Sequence, residues 1–286
     1  MKSLVTHNGY AHEDEFLASC LFLAKDPEIQ HIVRNNGNEL LGALKNNKKI
    51  YVVDVGKEYD PELNNYDHHQ FEYGTFECSF SLALKKYNLY DIAQKSWDWL
   101  DKTIMWDCQG PQKVAAELNI DNAFQTLSGI SVYFLKIFEN IDHIDYNDYL
   151  FKTMKAIGEE IVNDLENMKR SFEWWGENTF ITYLTKDIKG IFIKKESPVE
   201  LYDSAMNKHI DFLREEGVEI NIVGQPDSRS GGYKVFRVKD CPKIDFRLLN
   251  TLEKEKIHFI HNSGFLAVLN TQDYLEAMEI STRAIK

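Results

Sequence analysis

No two cysteines of this chain are spaced Cys-x-x-Cys. The four present, Cys20, Cys78, Cys108 and Cys241, are scattered, which excludes a zinc knuckle and a thioredoxin-like redox motif. They read as free thiols of a reducing compartment, so a cytoplasmic location is expected. No apolar run approaches the roughly 20 residues that a membrane helix needs. The opening MKSLVTHNGYAHEDE turns charged too early for a secretory signal. Positive charge is scarce as well: 33 Lys and Arg face 45 Asp and Glu, a formal net charge of −12. A general duplex binder neutralises phosphates with Lys and Arg and is usually basic. The balance here favours short or small phosphorylated substrates, with nucleic acid held through a local basic groove or bound metal ions. Internal repeats and low-complexity tracts are lacking too.

What is present is enough apolar material for a substantial core, 43% of 286 residues, which suits two domains better than one. Residues 3–6 form a short apolar strand. Asn8-Gly9 marks a turn. From Asp14, the residues Phe16, Leu17, Cys20, Leu21 and Ala24 recur at helical spacing. Residues 49–53 (KIYVV) make a second strand ending at Asp54, with helical and turn material between the two. This alternation predicts βαβ units and a largely parallel sheet. Residues 78–138 read as mostly helical, broken at Gln109-Gly110-Pro111. Residues 151–171 form the strongest amphipathic helix. Strands are predicted at 179–184, 190–193, 218–223, 231–238 and 257–260. The expected organisation is a catalytic domain over 1–148, a connecting helix over 149–176 and a smaller α/β domain over 177–286, with the change of pattern near 172–178.

Three clusters of metal-ligand type fall at or just beyond predicted strand ends: His7 with His12 and Asp14, then Asp54, then Asp67-His68-His69. In open α/β sheets the ligand crevice lies outside the carboxyl ends of the strands. Imidazole with carboxylate suits Mn, Fe or Zn. Asp54 is the candidate bridge between two ions. It ends the apolar run VVDVG, where a buried aspartate needs a strong cationic partner. Singly, each residue has a blander role: a solvated loop histidine, or an aspartate capping a helix or turn. Three such clusters in the first quarter of one chain favour a metal site.

These residues resemble the DHH phosphoesterase superfamily. The branch they resemble is the melanocyte-proliferating-gene (MYG-type) exonucleases. The resemblance rests on Thr6-His7-Asn8-Gly9 with His12-Glu13-Asp14-Glu15, on Asp54-Val55-Gly56 with Glu58-Tyr59-Asp60-Pro61 and Tyr66-Asp67-His68-His69-Gln70, and on Phe259-Ile260-His261-Asn262-Ser263-Gly264-Phe265. Many superfamily members open on His-x3-Asp-x-Asp; here His12 stands where an aspartate is common, as in the MYG branch.

The resemblance implies an α/β fold, with a mostly parallel-sheet DHH domain followed by a smaller α/β substrate-binding domain. It implies two divalent metal ions, manganese first, with Mg, Fe or Zn as alternatives. His7, His12 and Asp54 would hold one ion, and Asp14, Asp54, His68 and Asp107 the other. Asp107 lies in an Asp-Cys-Gln-Gly context where the family has Asp-Asn-Gly, which leaves Asp98 and Asp101 as alternatives. His69 and Asp54 would be catalytic, with His69 facing the substrate phosphate or leaving group. Asp67 would orient a histidine. Arg229, Arg247, His261, Ser263 and Gly264 would grip substrate, the last two through backbone N–H groups. Trp174-Trp175 reads either as packing or as a base stack.

The expected activity is that of an exonuclease or oligonucleotidase on short single-stranded RNA or DNA, with no membrane partner and with a homodimer allowed. A small-molecule phosphohydrolase acting on pyrophosphate, a dinucleotide or a sugar phosphate is the alternative. A non-catalytic metal-binding protein is a third reading.

Overall fold

The computed structural model describes residues 1–34, 46–72, 74–121, 129–196, 203–251 and 254–286. The helical and turn material expected between the first two strands lies partly outside these residues, as does part of the helical stretch expected over 78–138. The chain divides into two compact units, Met1–Glu166 and Asn167–Lys286.

The first unit is built on a six-stranded sheet in the order β4-β5-β3-β1-β2-β6. Its strands are β1 (Lys2–Thr6), β2 (Ile29–Arg34), β3 (Ile50–Val53), β4 (Tyr59–Asp60), β5 (Asn65–Tyr66) and β6 (His143–Asp145). β1 runs parallel to both β2 and β3, and β3 runs parallel to β5. The short outer strands β4 and β6 are antiparallel. The chain passes from β1 to β2 on one side and returns to place β3 on the other. That reversal opens a crevice beyond the carboxyl ends of β1 and β3.

Helix α1 (Glu13–Lys25) starts at that crevice. Three acids in its first turn, Glu13, Asp14 and Glu15, oppose the positive end of the helix dipole. The backbone N–H of His12 donates to Glu15 Oε1 at 3.1 Å, one arm of a capping box. Phe16, Ala18, Cys20, Leu21, Phe22 and Leu23 are buried in the core of the first unit. Helices α2 (Ser79–Lys86), α3 (Tyr90–Ser96), α4 (Leu100–Gln109), α5 (Pro111–Leu118) and α6 (Gly129–Glu139) follow. The break between α4 and α5 falls where expected. Gly110 takes a left-handed φ of 86°, and Pro111 occupies the first helical position, where no N–H is missed.

The amphipathic helix is α7 (Tyr149–Asn178), longer than its sequence pattern. A Cβ at Gly158 would stand 1.9 Å from the carbonyl oxygen of Cys20. The backbones of α7 and α1 therefore touch there, and glycine is required by close approach.

The second unit carries another six-stranded sheet, in the order β11-β12-β10-β9-β8-β7. Its strands are β7 (Thr179–Tyr183), β8 (Lys189–Ile193), β9 (Ile222–Asp227), β10 (Gly232–Arg237), β11 (Ile257–Ile260) and β12 (Leu266–Leu269). Only β8 and β9 pair in parallel among these strands. Helices α8 (Asp203–Glu215) and α9 (Tyr274–Thr282) also belong to the unit. Phe192, Ile222, Tyr233, Val235, Phe246 and Leu269 are core residues. The structure is thus mixed α/β, with one sheet mostly parallel and the other mostly antiparallel. Among the described residues, no helix is long and apolar enough to cross a membrane.

Candidate metal centre

Three adjacent strands end at one place. His7 follows β1, Asp54 follows β3, and Asp67, His68 and His69 follow β5. Asp14 joins them from the first turn of α1 and Asp107 from the last turn of α4. These side chains, remote in sequence, meet around Asp54. Asp54 Oδ2 lies 3.3 Å from His7 Nε2 and 4.0 Å from His12 Nδ1. Asp54 Oδ1 lies 3.1 Å from His68 Nε2 and 3.6 Å from His69 Nδ1. Asp107 approaches His68 Nε2 at 2.7 Å and His12 Nδ1 at 3.7 Å. The alternatives Asp98 and Asp101 are exposed on the surface.

Asp54 is only 2% exposed and has a left-handed φ of 56°. A non-glycine residue in such a conformation costs of order 1–3 kcal/mol. The surroundings hold it there. Its backbone N–H donates to Tyr66 O at 3.1 Å, and Ser79 Oγ donates to Oδ1 at 3.3 Å. The effect is to aim one oxygen at the His7 side and the other at the His68 side.

The cluster has more acceptors than donors. Asp14 Oδ1, Asp54 Oδ2 and Asp107 Oδ2 are all buried without a hydrogen-bond partner that satisfies them. Leaving such an oxygen unsatisfied costs about 1–3 kcal/mol. A divalent cation would satisfy all three, and the mixed imidazole and carboxylate donors suit a transition metal. Three groups have donor atoms that all lie within 4.8 Å of one another: His7, His12 and Asp54; His12, Asp14, Asp54 and Asp107; and Asp54, Asp67, His68 and His69. Asp54 belongs to all three. The first group matches the first ion's expected ligands. In the second, His12 stands where His68 was expected, although His68 touches both Asp54 and Asp107.

Protonation follows the same crowding. Burial alone would lower His7, but Asp54 and Glu15 beside it raise its pKa to about 9. Burial also opposes the charged form of His68, and Asp107 and Asp54 outweigh it, lifting the pKa to about 11. Burial raises Asp14 well above the carboxylate range, and the nearby Asp54 and Asp107 add to this. For Asp54 burial acts upward, but His68 and His7 hold the carboxyl far below its usual range.

Several residues that sequence reasoning left without a role complete the cluster. Glu15, fully buried, accepts from Thr6 Oγ1, from His12 N and from Arg34 Nη2 (3.0 Å), and stands 3.4 Å from His7 Nε2. Burial lifts its pKa to about 7. Arg34 also donates to Gly9 O at 3.3 Å, tying down the loop between His7 and His12. The backbone N–H of Ser79, at the start of α2, donates to Asp14 Oδ2 at 3.1 Å. The signal for Glu15 was its place in the first turn of α1; Arg34 and Ser79 left none. Asp67 accepts from His69 Nδ1 at 2.7 Å and from Lys57 N at 2.6 Å. It raises the pKa of the half-exposed His69, an effect that burial partly offsets.

The expected substrate-gripping residues lie in the second unit. Arg229 is exposed in the β9–β10 turn, where Asp227 accepts from the N–H and hydroxyl of Ser230. Arg247 is paired with Asp245 through Nε (2.8 Å) and Nη2 (2.6 Å). Arg247, His258 and His261 line a cavity of about 530 Å³. The amides expected to bind phosphate are already used within their own turn: Ser263 N donates to His261 Nδ1 at 3.2 Å and Gly264 N to His261 O at 2.8 Å. Gly264 is required for another reason: a Cβ there would lie 2.2 Å from Asp245 Oδ1. Trp175 is buried and meets Trp174 edge to face, which is packing.

The part of the cluster from His7 to Ser79 lies within the stretch that a known family shares, and Asp107 lies beyond it. Residues 3–89 match the MYG1 exonuclease family model. That model, MYG1_exonuc, carries the description "Uncharacterised protein family (UPF0160)" and matches under a third of this chain. The chain is 49% identical over 67 residues to the MYG1 exonuclease of Bos taurus and 48% identical over 67 residues to that of Homo sapiens. Each alignment spans 23% of this chain and 16% of the relative, so the chain covers about a sixth of the length of these relatives. It is 28% identical over 106 residues to the MYG1 protein of Chlamydia trachomatis, 36% of this chain and 35% of that one. Among solved structures it is similar to a DHH domain from a protein described as belonging to a family of ribosomal proteins, with TM-score 0.36, 12% identity, and 100% and 87% of the two chains covered. It is also similar to a pGpG-specific phosphodiesterase from Vibrio cholerae, with TM-score 0.32, 10% identity, and 99% of each chain covered.

Proposed function

We propose that this chain is a metal-dependent phosphoester hydrolase that releases nucleotides from short single-stranded RNA or DNA. The observation that carries the reading is the placement of Asp54. Its two oxygens face two sets of ligand-type side chains within one buried cluster, and the surrounding sequence matches the MYG1 exonuclease family. In this reading His7, His12 and Asp54 hold one divalent cation, and Asp14, Asp54, His68 and Asp107 hold a second, with manganese the first choice. Cations bound there supply Lewis-acid polarisation of the phosphate and a water that ionises near neutral pH.

The chain's own residues do the rest. Asp54 fixes the spacing of the two ligand sets. Ser79 holds Asp54 through its hydroxyl and Asp14 through its amide. His69 is half-exposed at the edge of the cluster, and Asp67 grips its Nδ1. Asp67 thereby favours the protonated ring and leaves Nε2 to give its proton to a departing ester oxygen, as a general acid would. In the second unit, the cavity at Arg247 and His261 offers hydrogen-bond donors to an anion.

A small-molecule phosphohydrolase is the second reading, favoured by the net charge of −12. The test is manganese-loaded protein with labelled short RNA and DNA beside pyrophosphate, dinucleotides and sugar phosphates. Mononucleotide release that is lost in Asp54→Asn supports the proposal. Preference for pyrophosphate supports the second reading. No hydrolysis of any phosphoester by metal-loaded protein overturns both.

A further inference from the structure

A cavity of about 530 Å³ opens beside the metal centre, within the usual range for a small-molecule site. Its position is set by His12, Asp14 and Asp107, which line both the cavity and one of the ligand groups. Ala11, Trp106, Pro111, Val132 and Leu135 supply an apolar wall. These come from the His7–His12 loop, α4, α5 and α6. Tyr10 also lines the cavity, yet it is 83% exposed. A large ring held on a loop between two ligand-type histidines, with almost none of its surface packed, has no structural task that accounts for it.

The charged residues around the cavity narrow the occupant. Glu13 and Glu139 line it with a single cation, Lys136. Glu13 accepts from Thr103 Oγ1 at 3.0 Å. Together with Asp14 and Asp107 the balance is negative, so a phosphate group is repelled from the pocket itself. A neutral, flat ring is favoured by the apolar walls, and ring N–H groups have carboxylates to meet. Stacking on aromatic side chains accepts any base, because every base has a π face.

We propose that this cavity takes a nucleobase of the substrate, stacked on Trp106 and covered by Tyr10, while the adjoining phosphate lies at the metal centre. The placing of the phosphate rests on the phosphoester reading above. The binding of the base does not, since it needs neither metal nor hydrolysis.

The experiment is calorimetric titration of metal-free full-length protein with adenosine and, separately, with ribose. Neither ligand carries a phosphate and the protein holds no metal, so phosphate–metal contacts contribute nothing to the difference. Adenosine is expected to bind and ribose to give no measurable binding. Trp106→Ala is expected to weaken adenosine by about tenfold or more, as for loss of a stacking platform. Trp106→Phe should restore most of the affinity, which a merely structural role would not require. Val132→Trp, which fills the cavity from α6, should abolish binding, with the melting temperature of each variant reporting that it is folded. If wild-type protein binds adenosine no better than ribose, or if folded Trp106→Ala and Val132→Trp both bind adenosine as wild type does, the proposal is overturned. Adenosine binding in a protein that hydrolyses no phosphoester would sink the functional reading and leave the base pocket standing. Hydrolysis without discrimination between adenosine and ribose would do the reverse.

Discussion

Asp14 is buried, ionisable and close to Asp54 and Asp107, so in the metal-free protein its charge works against folding. Asp14→Asn removes that charge while an amide oxygen can still accept from Ser79 N. The substitution should therefore raise the metal-free stability by about 1 kcal/mol and weaken manganese binding at the same time. Thermal melts with and without the ion read both, and a fall in metal-free stability would contradict the electrostatic account. Glu15 acts one step further out, holding His7, His12 N and Arg34. Glu15→Gln should cut manganese affinity about 10- to 100-fold, the usual loss when a ligand's supporting partner is removed; unchanged affinity by titration would show the network to be idle. At this scale the candidate ligands were legible because His7, His12 and Asp14 follow one recognisable strand, Asp54 ends a second, and Asp67-His68-His69 is a motif in itself. Glu15, Arg34 and Ser79 were not legible. Their contacts join β1, β2, α1 and α2, and no local spacing records such distances.

Secondary-structure elements place the site by their ends rather than their faces. β1, β3 and β5 lie side by side, so the loops that follow them converge, and α1 begins beside them. α1 is in turn seated by α7 through Gly158, which no side chain can replace without moving a backbone. Gly158→Ala should destabilise the first unit by about 1–3 kcal/mol through overpacking, read as a lower denaturation midpoint; a neutral result would mean the two helices separate easily. β1, β3 and α1 announced themselves through apolar runs and helical spacing. β2 did not, because Gln30 and His31 interrupt its apolar residues and its partner β6 is only three residues long. β12 (LAVL) was hidden for a similar reason: four residues are too short to show a period. β9 begins at Ile222, later than its apolar pattern, because its first residues pair in register with Gly190 and Ile191 of β8.

For the molecule as a whole, pH acts through the same cluster with two opposite signs. His7 and His68 titrate at about 9 and about 11 in the folded, metal-free protein, against an ordinary value of 6.5. Groups raised on folding stabilise fully below the unfolded pKa and lose that contribution as pH rises through the folded pKa. Glu15, raised to about 7, adds to the same trend at lower pH. Metal-free protein should thus lose stability between about pH 6.5 and about 9. Over the same range manganese should bind more tightly, because a ligating imidazole must first give up its proton. Melts and titrations at several pH values check both directions, and parallel changes would contradict the assignment.

In the proposed reading one buried aspartate, Asp54, serves two cation sites. The most direct test of that reading is the stoichiometry of manganese bound to metal-stripped protein, measured by titration for wild type and for Asp54→Asn. The account predicts two ions per wild-type chain and the loss of tight binding at both sites in the variant. A wild-type chain that binds no manganese, or an Asp54→Asn chain that binds it equally well, would contradict it.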